Sequence, residues 1–184
     1  MKKRTGVVAL AFLFALSSAY AQTTDFFKLV KTGTPQDVQD AIDKGTNVNA
    51  KDSSGRTPLM FAAASNPNPE VITTLLKAGA DIKAACHCGD TPLTLAAGHN
   101  PNPEVITTLL KAGADISAPN KAGDTPLMSA AKYNQNPEVI TALLQAGADA
   151  KAKDDRGQAA LDYAKSNYGL KDTDAYRQLE EASK

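Results

Sequence analysis

The sequence predicts an all-α solenoid of about five stacked helix–turn–helix units. Three observations carry that prediction. Thr57-Pro58-Leu59, Thr91-Pro92-Leu93 and Thr125-Pro126-Leu127 recur at a spacing of 34 residues, a period that signals a stacked array. Residues 66–82 and 100–116 are identical over 17 positions, and residues 136–144 are a third, slightly drifted copy. Residues 22–184 hold 27 Ala and only seven aromatic side chains. That is too little bulk for a thick globular core, but it suits thin layers of small side chains packed closely.

The chain opens on an address. Met1-Lys2-Lys3-Arg4 is cationic, residues 7–16 are ten unbroken apolar side chains, and Ser17-Ser18-Ala19-Tyr20-Ala21 ends in an Ala-x-Ala pattern. This predicts a signal peptide over residues 1–21 and a mature domain over 22–184. At 1.5 Å per residue the apolar run covers only ~15 Å, about half of a hydrocarbon core. No Cys follows the cleavage pattern to take a lipid, and no later stretch is apolar enough to span a bilayer. The expected product is exported and free of the membrane, with the periplasm ahead of the medium as its destination. Beyond the leader 17 basic and 20 acidic side chains remain, a net charge of −3 without a basic patch. Sequence-independent nucleic-acid binding needs clustered cations, so that class is excluded.

The units follow in order as about 24–55, 56–89, 90–123, 124–157 and 158–184. Phe26-Phe27-Lys28-Leu29-Val30-Lys31 and Thr34-Pro35-Gln36-Asp37-Val38 read as an N-terminal cap, with Gln36, Asp37, Gln39, Asp40 and Asp43 on its polar face. In the second unit Thr57 suits a helix N-cap, with Pro58 at the first helical position. Leu59-Met60-Phe61-Ala62-Ala63-Ala64 then makes a short helix, stopped by Asn66-Pro67-Asn68-Pro69. Asn68 caps a second helix in which Glu70 favours the positive end and Val71, Ile72, Leu75 and Leu76 form one apolar stripe. Gly79 supplies a left-handed C-terminal residue. Units three and four repeat this plan. The last opens on Ala160-Leu161-Asp162-Tyr163-Ala164-Lys165 and closes on a charged helix over residues 175–181. A single two-helix unit cannot bury its stripe alone, whereas stacked neighbours can.

Thr-Pro-Leu-x-x-Ala-Ala followed by Leu-Leu-x-Ala-Gly-Ala-Asp resembles the ankyrin repeat, over roughly residues 24–182. The resemblance implies antiparallel helix pairs joined by β-hairpin-like fingers. It also implies a concave face made of finger tips and first helices. Two departures stand out. The family's usual unit is one residue shorter than the 34 found here, and the extra residue falls in the turn between the helices. The family's usual His after Thr-Pro-Leu is replaced by Met60, Thr94 and Met128, so inter-unit polar bonding is expected to be reduced.

The chain offers little catalytic material. His87 and His99 are the two histidines, both in the third unit, and no Gly-rich phosphate loop is present. An open repeat surface provides no water-excluding pocket for a nucleophile and base. No enzymatic activity, cofactor or resident metal is expected. The odd feature is Cys86-His87-Cys88 at a finger tip, where neighbouring fingers read Asp52-Ser53-Ser54 and Asn120-Lys121-Ala122. Three readings stand. The thiols can pair as a reducible disulfide within reach of a two-residue turn. They can hold a soft metal with His87, although a structural zinc site wants four ligands. Or they are a local feature without a role.

In ankyrin arrays recognition lies at finger tips and on the exposed side of the first helix. The resemblance carries that role onto Ser53, Ser54, Arg56 and Ser65 in the second unit and His87, Cys88, Asp90 and His99 in the third. In the fourth it falls on Lys121, Asp124, Lys132 and Tyr133, and in the last on Asp155, Arg156 and Gln158. Tyr163 is expected in the core. The implied function is a monomeric, non-enzymatic module that binds a partner protein, as a periplasmic adaptor or inhibitor. A redox- or metal-responsive role for the Cys86-His87-Cys88 finger is the alternative. A secreted effector acting on a host protein is another.

Overall fold

A computed structural model describes residues 25–184; the predicted leader over residues 1–21 lies outside them. Ten helices and no strands occur among the described residues. Helix α1 covers 25–32 and α2 covers Pro35–Asp43. Then come α3 (Pro58–Ser65), α4 (Pro69–Lys77), α5 (Pro92–His99), α6 (Pro103–Lys111), α7 (Pro126–Tyr133), α8 (Pro137–Gln145), α9 (Ala160–Ala164) and α10 (Asp174–Ala182). Helices α3, α5, α7 and α9 pack side by side as one layer, and α2, α4, α6, α8 and α10 as a second behind it.

The local causes are those in the sequence. Each of α3, α5 and α7 starts with Pro after a Thr whose hydroxyl accepts an N–H from three residues on. Each of α4, α6 and α8 starts with Pro after an Asn that accepts from the Glu N–H. Helices of eight or nine residues are too short to hold in water by themselves. Packing holds them: Leu59, Ala62 and Ala63 of α3 and Val71, Ile72 and Leu75 of α4 are fully buried, as are their counterparts in later units. The inner helices are apolar on nearly every side because both neighbours cover them. The buried Ala pairs let those neighbours approach.

Replacement of the usual histidine does not leave the units without polar ties, because the longer outer turn supplies them. Asn100, fully buried, donates through Nδ2 to the carbonyls of Ala63 at 2.9 Å and Asn66 at 2.8 Å in the preceding unit. Its Oδ1 accepts the N–H of Asn102 at 2.9 Å. Asn66, Asn134 and Asn167 repeat this arrangement. A second series runs outside it, Asn102 Nδ2 to the Pro67 carbonyl at 2.7 Å and Asn136 Nδ2 to the Pro101 carbonyl at 2.6 Å. Met60, Thr94 and Met128 bond only to Thr57, Thr91 and Thr125 of their own units, and it is the asparagine ladder that ties every junction between described units.

The fingers are tight turns, closed for instance by Asp52 N–H to the Arg56 carbonyl at 3.0 Å and Gly55 N–H to the Asp52 carbonyl at 2.9 Å. One backbone bond joins each to the next: His87 N–H to Ser54 O, Lys121 N–H to Cys88 O and Asp155 N–H to Ala122 O. Gly89 shows why glycine ends these turns. Its φ is +89°, and a Cβ there would stand 2.7 Å from the Lys121 nitrogen.

Candidate functional site

Finger bases and inner helices line two clefts on one face. The first, of 250 Å³, is bounded by Lys31, Arg56, Met60, Phe61, Ala64, Ser65, Leu95 and His99. Phe61 is its floor. Lys31 Nζ lies 4.7 Å and Arg56 Cζ 4.6 Å from the ring centroid, and Phe27 meets the same ring at 5.1 Å. Such cation–π contacts fix charges beside an apolar surface. Arg56 is braced by Asp52, Nε to Oδ2 at 2.9 Å. Burial works to raise the Asp52 carboxyl, but the N–H groups of Arg56 and Ser54 and the Arg56 guanidinium hold it below the usual range.

The second cleft, of 480 Å³, is bounded by Ala122, Asp124, Lys132, Tyr133, Asp154, Arg156, Tyr163 and Ser166. Lys132 forms a close ion pair with Asp124 and reaches Asp154 at 4.0 Å. Its Nζ stands 3.9 Å from the Tyr163 ring centroid. The Tyr163 hydroxyl donates to Asp154. That bond first, and Lys132 with two backbone N–H groups besides, keep the Asp154 carboxyl below its usual range despite burial. The bond to Asp154, then burial, raises the Tyr163 hydroxyl. Burial would lower Lys132, but Asp124 and Tyr163 outweigh it and raise the ammonium. Between the clefts His99 and Tyr133 stack at 5.8 Å and 21°.

Two of the recognition residues take a different role. Asp124 and Lys132 are largely withdrawn from solvent, with side chains 11% and 14% exposed, and paired with each other, and Lys132 alone reaches the fifth unit, over the Tyr163 ring. Their charges are spent on each other and on Asp154. Tyr163 packs against the core as expected, but it is half-buried and its hydroxyl reaches Asp154 in the cleft. Ser53, Ser54, Ser65, His87, Cys88, His99, Lys121, Tyr133, Asp155, Arg156 and Gln158 are exposed, and Arg56 and Asp90 half-buried. Tyr133, at 58%, is an exposed large apolar side chain.

Sequence reasoning passed over Phe61, Lys31, Leu95 and Asp154. Phe61 was findable: it fills the repeat position held by Leu95 and Ser129, a place where each unit shows something different. Asp154 fills the finger position of Asp52 and Asn120.

At the third finger the sulfurs of Cys86 and Cys88 are bonded, with Cα atoms 5.3 Å apart. Cys86 is buried against Met60, Ala84 and Leu95. Cys88 is exposed, its Sγ 3.2 Å from Asp90 Oδ2. Among the described residues Cys86, Cys88 and Asp90 form one group whose potential ligand atoms lie within 4.8 Å of one another. Joined to each other, the two sulfurs have no thiolate to offer an ion. Neither histidine joins that group. The His87 ring lies over Gly55, and His99 is engaged with Tyr133.

Among the described residues no helix is long and apolar enough to cross a membrane. A family model described as ankyrin repeats (3 copies) matches residues 26–120. Another, described as ankyrin repeats (many copies), matches residues 109–164. A comparison with curated proteins finds no match.

Proposed function

Because the chain belongs to the ankyrin repeat family, we propose that it is an exported, non-enzymatic module that holds a partner protein against its finger-and-inner-helix face. Ankyrin repeats are generally protein-interaction modules. The observation that carries the assignment to this face is its strip of aromatic and cationic side chains. Phe61 lies under two cations, and the His99–Tyr133 stack continues the strip toward the fourth unit. Tyr and Arg are the side chains that most often anchor interfaces. Tyr133 is held by stacking and gives up little freedom when covered. The destination proposed is the periplasm, where such a module would act as an adaptor or mask an enzyme. A secreted effector would use the same face, and fractionation separates the two.

The test is affinity capture from the exported fraction with the mature chain, beside Tyr133→Ala and Arg56→Glu. Tyr133 is exposed and Arg56 half-buried, so circular dichroism of each variant is recorded beside the capture to check that the fold is kept. Loss of one and the same protein from both captures supports the reading. Equal recovery by all three refutes it.

A further inference from the structure

The third finger is closed differently from its neighbours. In the second, Asp52 Oδ1 accepts the N–H groups of Ser54 and Arg56, both at 2.8 Å. In the fourth, Asn120 Oδ1 takes those of Ala122 at 2.9 Å and Asp124 at 3.0 Å. In the fifth, Asp154 Oδ1 takes those of Arg156 and Gln158, both at 2.9 Å. The turn itself is the same in the third: Cys86 N–H bonds to Asp90 O at 3.1 Å and Gly89 N–H to Cys86 O at 2.9 Å. Yet Cys86, at the position of the carboxylate or amide, has no oxygen for the N–H groups of Cys88 and Asp90. What links residue one of the turn to residue three is the Cys86–Cys88 bond.

We propose that this bond is a thiol–disulfide exchange site, a covalent substitute for the side-chain hydrogen bonds that brace the other fingers. Its redox state sets the order of the third finger. The reductant is a dithiol. Its thiolate attacks Cys88 Sγ, the exposed sulfur. The Cys86–Cys88 bond breaks, and its electron pair goes to Cys86 Sγ, which takes up a proton. The second thiolate of the reagent then attacks its own bonded sulfur and releases Cys88, which is protonated in turn. The dithiol leaves as a disulfide, and the finger holds two thiols. The Cys88 thiol is placed to donate to Asp90 Oδ2, while the other oxygen of that carboxylate, Oδ1, accepts from Asn120 Nδ2 at 2.8 Å. Cys86 keeps its place among Met60, Ala84 and Leu95. The finger then has neither the covalent link nor a side-chain oxygen at residue 86 to accept the N–H groups of Cys88 and Asp90.

The effect reaches both neighbours, because His87 N–H bonds to Ser54 O at 2.9 Å and Lys121 N–H to Cys88 O at 3.0 Å. The proposal does not depend on the partner-binding reading.

The test is amide hydrogen exchange on the mature chain, oxidised and then reduced with dithiothreitol. Reduction is expected to speed exchange at Cys86, His87, Gly89 and Lys121 by about five- to thirtyfold, the population change that the loss of one to two hydrogen bonds commands. The double variant Cys86→Asp/Cys88→Ser, which rebuilds the turn of the second finger, is expected to exchange at the slow oxidised rate with or without reductant. Cys86→Ala/Cys88→Ala is expected to match the reduced chain. In the reduced chain Cys88 is expected to alkylate about tenfold faster than Cys86, following exposure. Equal exchange in the oxidised and reduced chains overturns the proposal. So does an oxidised chain whose mass shows two free thiols, or an alanine double variant as protected as the oxidised chain.

Discussion

Asn100→Ala tests the asparagine ladder at its middle. The substitution removes two donors to the Ala63 and Asn66 carbonyls and the acceptor for the Asn102 N–H. Each such bond is worth roughly 1 kcal/mol net, and a buried polar group left without a partner costs about 1–3 kcal/mol. Asn100 is fully buried, so the three orphaned groups are poorly placed to recruit water. A loss of about 3–5 kcal/mol follows. In a domain of this size that lowers the Tm by about 6–20 °C. Urea unfolding followed by circular dichroism measures it as a drop in midpoint at unchanged slope. Asn102→Ala is the internal comparison. It loses an exposed cap and one bond to Pro67 and is expected to cost about 1 kcal/mol. If Asn100→Ala costs no more than Asn102→Ala, the ladder is not what joins the units.

Leu109→Ala deletes a fully buried side chain of the central outer helix and is expected to cost about 2–5 kcal/mol, read from the same urea curves. Gly89→Ala forces a side chain onto a left-handed residue and against the Lys121 backbone. A loss of about 1–3 kcal/mol is expected, with exchange of the Lys121 amide accelerated. The Asp154 carboxyl titrates lower in the folded chain than a free one. Its stabilisation is therefore complete above about pH 4, the unfolded value, and fades as the pH falls through the folded value. Asp154→Asn keeps the turn, as Asn120 does in the fourth finger, and a Tm-versus-pH series should show a flatter acid limb. An unchanged limb would remove Asp154 from the acid response.

The repeat, the caps and the helix pairs were legible because each unit states them independently. Thr or Asn, then Pro, then a buried stripe appears in unit after unit, and agreement among copies cancels local ambiguity. The extra residue of the outer turn was legible, and so was the Asn that recurs there at 66, 100 and 134. Its role was not, because a side chain that bonds the previous unit leaves no periodic signal within its own. Asp124 and Lys132 fall at repeat positions that the ankyrin resemblance puts on the recognition surface. Only the approach of Asp154 from the next finger turns them inward. Exposure at Tyr133 could be read from one unit, while Phe61 needed Lys31 from one side and Arg56 from the other.

In the asparagine ladder each 34-residue block carries both plug and socket: an amide reaching back and carbonyls offered forward. A copied block inserted between two others arrives with its couplings already matched. Length is then the quantity this chain can alter most freely, while any change inside one coupling must be answered by its neighbour.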